Sequence, residues 1–476
     1  MFLRSICLLL SVSALLHAEI ELPRVLSSHM VLQRSAEVTL WGWAGPGEEI
    51  VVDPDWGEPR STKAGTDGTW QLKVKTNSDP NSHSITFRAG NETTRLTDIR
   101  FGEVWLASGQ SNMEMPLAAV SGAYTGIRDA KQEIAAANYP DIRLFQVGNF
   151  SSYKPLTDVR AGNTIYGVPP AKCTWQRCSP KTVKHFSSTA YFFARELHRQ
   201  LDVPIGIIDA SWGGTKAEVW TPREGLEKLG YDKLLRDAKQ AKQNQDEKIA
   251  SRLYNGMIHP LRNTTIRGAI WYQGESNVST ANRYRELFVT MIGHWRKDWG
   301  YDFPFYFTQI SPYRYKDFNS SLLREAQFNS MSIPNTGMAV TMDIGNIRDI
   351  HPKNKQEVGR RLALWALAKD YQRNIDYSGP AFRSATTNGD RIRIAFDYAE
   401  NGLTTSNGKP PSHFEIAGQD HKFHSAKAEI EGQAVVVYSP SVSKPIAVRY
   451  AFSNEATPNL TDKSGLPASS FRTDRD

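Results

Sequence analysis

Between about residue 102 and residue 372, short apolar runs alternate with segments of helical spacing, and this rhythm constrains the fold more than any other feature. The runs at 104–108, 205–208, 266–272, 303–310 and 338–342 are largely apolar throughout rather than apolar at every second position. Strands buried on both faces have this character, whereas a sheet with one wet face alternates. Helical segments are expected at 187–201, opening on the capping residues Ser187 and Ser188, at 281–297 and at 354–369. The fold class is therefore α/β: a parallel sheet covered by helices on both sides. Reactive groups are then expected in the loops beyond the carboxyl ends of the strands.

The two ends of the chain read differently. Runs at 37–43, 70–75 and 84–88 alternate polar and apolar, separated by turn signals such as Gly45-Pro46-Gly47 and Asp67-Gly68. The same pattern returns at 391–396, 434–438 and 446–450. A chain of 476 residues exceeds one ordinary core. The expected organisation is a β domain at 19–101, an α/β domain at 102–372 and a β domain at 373–476, the outer two sandwich-like.

Residues 1–18 read as a cleaved signal peptide, with Arg4, an apolar run from Ile6 to Leu16, and Ala18 at the cut. That run is too short to span a bilayer, and no later segment is long and apolar enough. The expected location is secreted or periplasmic, with no stable membrane insertion. Cys7 leaves with the signal, and Cys173 and Cys178 then have the option of a local disulfide. The formal charge is +7, one less once Arg4 is removed, and its lysines and arginines are scattered among acids rather than striped. Nucleic acid is thus not an expected partner. The sequence leaves the oligomeric state open.

Four loops at strand ends carry polar residues that no core requires. In Gly109-Gln-Ser-Asn-Met113, Ser111 stands where a strand gives way to a helix. The helix N–H groups there suit the negative oxygen that forms when an acyl carbonyl is attacked, although a serine at this position also serves simply as a cap. In Ala210-Ser-Trp-Gly-Gly-Thr215, Gly213 and Gly214 allow close backbone approach or merely make a tight turn. Trp212 and Trp220 nearby are suited to stacking on a sugar or to covering the core. In Trp271-Tyr-Gln-Gly-Glu-Ser-Asn277, Gln273 and Asn277 offer amide donors, or belong to a structural amide network. In Asp343-Ile-Gly-Asn-Ile-Arg-Asp-Ile-His-Pro352, His351 is held extended by the following proline, with Asp349 or Asp343 available to fix its tautomer. As a general base it would titrate near the ordinary value of about 6.5.

Together these loops resemble the SGNH hydrolases, and specifically the sialate O-acetylesterase family. The residues that carry the resemblance are Gly109-Gln-Ser-Asn-Met113, Gly213-Gly-Thr215, Trp271-Tyr-Gln-Gly-Glu275 and Asp349-Ile-His-Pro352, with Leu26-Ser-Ser-His-Met-Val-Leu-Gln33 upstream. The resemblance implies a flavodoxin-like three-layer catalytic domain and a Ser-His acyl-enzyme mechanism. Ser111 would be the nucleophile, His351 the base and Asp349 the leading third member, with Asp343 or a backbone carbonyl behind it. Ser111, Gly213, Gly214 and Gln273 would form the oxyanion hole. Two departures stand out: Arg348 occupies the position three before the histidine where the superfamily often has Asp, and the asparagine of the third block is not in its usual place. No Gly-x-Ser-x-Gly elbow occurs, which disfavours the α/β-hydrolase fold. Neither a metal nor another cofactor is implied.

The expected partner is an acetylated sugar or glycan, with sialic acid first and plant or algal polysaccharide such as acetylated xylan as the alternative. An arginine gripping a carboxylate would favour sialate, and Arg223, Arg314 and Arg348 are the candidates. From a different class, an inactive secreted glycan-binding protein would also explain the β modules and tryptophans, but it would need neither Ser111 nor His351.

Overall fold

The computed structural model describes residues 19–162, 170–241 and 246–474. The proposed signal segment at 1–18 lies outside the described residues. The fold is a mixed α/β structure with a central mixed sheet and additional β-sheet regions. Across the sheet the strands run Thr336–Ala339, Phe305–Thr308, Gly268–Tyr272, Glu92–Gly109, Ile205–Ser211, Tyr139–Gln146 and Trp175–Cys178. All neighbours in this series are parallel except the last pair.

Strand alternation divides the interior into two cores. Ala269, Trp271, Phe305 and Phe307 face one, while Ile270, Tyr272 and Tyr306 face the other. The first core is covered by Ala281–Trp299, and Leu323 and Ala326 of Ser320–Asn329 also contribute. The second is covered by Ser188–Leu201 and Lys355–Lys369. These two helices begin at side-chain caps, Ser187 on the Ala190 N–H and Asn354 on the Glu357 N–H. They meet at Gly359, where a Cβ would come within 2.6 Å of Phe192. Two-sided burial is why the sheet strands are apolar throughout.

Glu92–Gly109 is 18 residues long. Its first half pairs antiparallel with His83–Ala89, and its second half lies between Ile205–Ser211 and Gly268–Tyr272. Burial along it changes from partial to continuous at Phe101. One strand therefore passes from the amino-terminal β region into the parallel sheet, through the very position where the sequence pattern changes.

Near the carboxyl terminus, Ala381–Asn388, Arg391–Asp397, Ala434–Tyr438 and Lys427–Glu431 make one antiparallel sheet, and Phe414–Ala417 and Ala447–Tyr450 anchor another. Cys173 and Cys178 are buried free thiols, so the disulfide option is not taken. The Cys173 sulfur accepts from the Gly148 N–H, and burial pushes the Cys178 thiol up to about 12.

Candidate active site

The connection after Gly109 crosses the sheet in one direction and that after Tyr272 in the other. A crevice opens beyond two such adjacent strand ends. The strands approach so closely there that a Cβ on Gly109 would lie 2.2 Å from the Tyr272 carbonyl oxygen, and Gly109 has φ +144°. Next, the Gln110 side-chain oxygen accepts from the N–H groups of Gly274 and Ser276, which ties the first loop to the third.

Ser111 opens the short helix Ser111–Glu114. A residue at this position has no intrahelical acceptor for its N–H. Gly213 lies against it: a Cβ there would meet the Ser111 Cβ at 3.3 Å and the Glu114 carboxylate at 2.8 Å. The Gly213 N–H donates to Glu114 at 2.8 Å. The Glu114 carboxylate also accepts from Tyr124 at 2.7 Å and Asn149 at 2.9 Å. Burial pushes this carboxyl up, against those three donors. Gly214, at φ +72° and exposed, has no partner for its N–H among the described residues.

His351 reaches the same crevice. Its ring packs edge-on against Tyr124 with centroids 5.2 Å apart, and Tyr124 is the residue that donates to Glu114. Asn112, the residue after Ser111, donates to the carbonyl of Ile350, the residue before His351, at 3.0 Å. Ser111 and His351 thus flank a single hydrogen bond, although among the described residues they form none with each other. Asp349 accepts the His351 backbone N–H at 2.9 Å, and the same oxygen lies 3.9 Å from the ring Nδ1. Asp343 is instead held by Arg361 through two bonds of 2.6 and 2.7 Å. Burial, reinforced by the nearby Lys355 charge and opposed by Asp349, lowers the His351 pKa to about 4 rather than the expected 6.5.

Asn112 has two further partners. Its side-chain oxygen accepts from Lys355 at 2.5 Å, and its NH2 donates to Glu275 at 2.5 Å. All three side chains are buried, and the second Glu275 oxygen has no hydrogen-bond partner among the described residues. Gln273 is different. Its NH2 donates to the Thr215 carbonyl and to Asn277, and its oxygen accepts from Tyr284, so its hydrogen-bonding capacity is taken up internally. Trp220 is fully buried and donates to Thr215, so it covers the core, whereas Trp212 is partly exposed.

The sequence pattern of the family described as carbohydrate esterase, sialic acid-specific acetylesterase, matches residues 101–368. The chain belongs to this family. The sialate O-acetylesterase of Mus musculus is 30% identical over 414 residues, covering 75% of this chain and 74% of the mouse protein. That of Homo sapiens is 30% identical over 398 residues, with 75% and 72% covered. A carbohydrate acetylesterase from Xanthomonas citri superposes with a TM-score of 0.84 at 36% identity, over 96% of this chain and 99% of its own. The protein is thus an esterase of the carbohydrate-acetylesterase type.

In this carbohydrate esterase the sequence reading missed roles for Asn112, Glu114, Tyr124, Glu275 and Lys355. Lys355 had a signal. It occupies the same helical stripe as Val358, Leu362 and Trp365, all buried, where a lysine has no business unless paired.

Proposed function

We propose that this esterase removes O-acetyl groups from sialic acid through an acetyl-enzyme formed on Ser111. The observation that carries the reading is the convergence of the Ser111 turn and the His351 loop on Asn112 and Tyr124. In this mechanism His351, unprotonated at neutral pH, takes the hydroxyl proton as the Ser111 oxygen attacks the acetyl carbonyl carbon. The carbonyl oxygen becomes anionic and is met by the N–H groups of Ser111 and Gly214. Collapse breaks the bond to the sugar oxygen, which leaves with the proton from His351. Water, deprotonated by His351, then attacks the acetyl-serine, and acetate departs as the proton returns to Ser111. Asp349, two residues earlier on the same loop, orients the imidazole. Gly213 allows the close contact with Ser111, and Gln273 braces the third loop against Thr215 and Asn277.

Sialic acid carries a carboxylate, and Arg348 is an exposed cation three residues before His351 with no ion-pair partner among the described residues. The other two candidates, Arg223 and Arg314, are neutralised by Glu227 and Glu455. This favours an acidic sugar over neutral xylan. We place this chemistry in a flavodoxin-like SGNH domain at 102–372, with β domains at 19–101 and 373–476 beside it. Residues 1–18 would direct the protein out of the cytoplasm.

The test is acetate release from O-acetylated sialic acid and from acetylated xylan by the wild-type protein and Ser111→Ala. The expected result is faster release from the sialate and none by the variant. Activity retained in Ser111→Ala would remove the nucleophile, and preference for xylan would remove the sialate assignment. A wild-type protein inactive on both would remove both sugars as substrates.

A further inference from the structure

Lys355 is the first residue of Lys355–Lys369 and is fully buried beneath the crevice. Its Nζ lies 2.5 Å from the Asn112 oxygen and 5.0 Å from the centre of the Tyr272 ring. By occupying that oxygen, the ammonium fixes which way the Asn112 amide faces. The NH2 is left to bridge Glu275 on the third loop and the Ile350 carbonyl on the fourth. An amide free to rotate by half a turn would present an oxygen to the carbonyl and to the carboxylate, and both contacts would become repulsive.

We propose that Lys355 is a positioning residue of the esterase site, which locks the Asn112 amide so that the Ser111 turn is held against the His351 loop. The inference rests on Ser111 and His351 acting as described under the proposed function. A second consequence follows from charge. Burial pushes the Lys355 amine down to about 7, opposed by Glu275 and Asp349. The ammonium is therefore present below neutral pH, in the range where an ordinary histidine would take up a proton, and it repels that proton from His351. Among the described residues, the other groups facing His351 are Asp349 on its own loop, which attracts the proton, and the Tyr124 ring, whose hydroxyl is turned to Glu114.

The experiment compares full-length wild-type protein with Lys355→Met, which loses both donor and charge, and Lys355→Gln, which keeps a donor. Two quantities are read: kcat and KM for acetate release against pH, and the His351 ring titration by NMR, assigned through the resonance lost in His351→Asn. The expected result for Lys355→Met is a kcat fall of roughly 10²-fold, the size of a small misplacement of reacting groups, with KM little changed. Lys355→Gln should lose less. In both variants His351 should titrate above about 4 but below the ordinary value, because burial still acts.

A folded Lys355→Met with wild-type kcat and an unmoved His351 titration overturns the proposal. So does failure of both variants to fold, since Lys355 would then serve core stability alone. The NMR titration does not depend on turnover. If Ser111→Ala keeps its activity, the hydrolase mechanism fails, while the link between Lys355 and His351 is still judged on its own.

Discussion

Two buried carboxamides sit at neighbouring strand ends of the same crevice, and their surroundings differ. Gln273 is held by Thr215, Asn277 and Tyr284, and Asn277 in turn binds Glu218, Thr280 and the Ala217 N–H. Asn112 is held by a lysine, a glutamate and the carbonyl before His351. The first corner is an amide and hydroxyl network that ends on one buried carboxylate, Glu218. The second buries opposite charges and leaves one Glu275 oxygen without a hydrogen-bond partner among the described residues. Buried charge is expensive unless fully paired, so its presence beside Ser111 needs a reason that packing does not provide. Both loops look equally polar in sequence and each buries a carboxylate, yet only the second sets a buried lysine beside the residue that follows Ser111. Polar residues at a strand end locate a site; their partners indicate which of them serve it.

The largest expected effect comes from Asn112→Ala. The variant severs the link from the Ser111 turn to the Ile350 carbonyl and leaves both Lys355 and Glu275 short of a partner. kcat should fall by about 10²-fold or more, with little change in KM, as measured by acetate release. Stability should also drop, by about 3 kcal/mol, the upper end of the cost of leaving buried polar groups without a hydrogen-bond partner. A variant that is merely less stable, with kcat intact, would make this corner as structural as the Gln273 corner.

The next effect is in pH dependence. Because the His351 pKa is lowered to about 4, its base form persists far below neutrality. kcat/KM should therefore stay nearly level from pH 7 to 5 and decline only near 4. A base at the ordinary value of about 6.5 would lose about 25-fold between pH 7 and 5. The same shift acts on folding. The folded pKa is below the unfolded one, so this group's contribution to stability is complete above about 6.5 and is lost as pH falls towards 4. A steep loss of kcat/KM between pH 7 and 5, with the protein still folded, would show that His351 is not the base or not so buried in solution.

The sequence made the parallel sheet legible because two-sided burial writes itself as unbroken apolar runs, as in Gly268–Tyr272. It made the loops legible because Ser111, Gln273 and His351 follow strand ends where no core needs them. Tyr139–Gln146 is not legible because Pro140, Asp141 and Arg143 interrupt it, and Arg143 is buried through a 2.6 Å pair with the distant Asp98 and bonds to the Pro140 and His29 carbonyls. The continuity of Glu92–Gly109 was hidden because its pattern changes with its neighbours, not with its own conformation. What no local pattern encodes is which donors are already taken. Gln273 and Asn112 are both amides after a strand, and only long-range contacts distinguish them.

That distinction sets the smallest expected effect on activity, in Gln273→Ala. The side chain is fully buried, and its loss would leave the Thr215 carbonyl, Asn277 and the Tyr284 hydroxyl short of partners in a cavity. Unfolding by denaturant should show a destabilisation of about 3 kcal/mol, the cost of unpaired buried groups together with a void. kcat should stay within about threefold of wild type, because both N–H bonds of Gln273 are spent on the protein itself. A donor to the developing oxyanion would behave otherwise, with a kcat loss of 10²–10³ at modest cost in stability. That outcome would mean that the Gln273 amide leaves Thr215 and Asn277 when substrate binds, and the contrast between the two corners would then hold only for the empty enzyme.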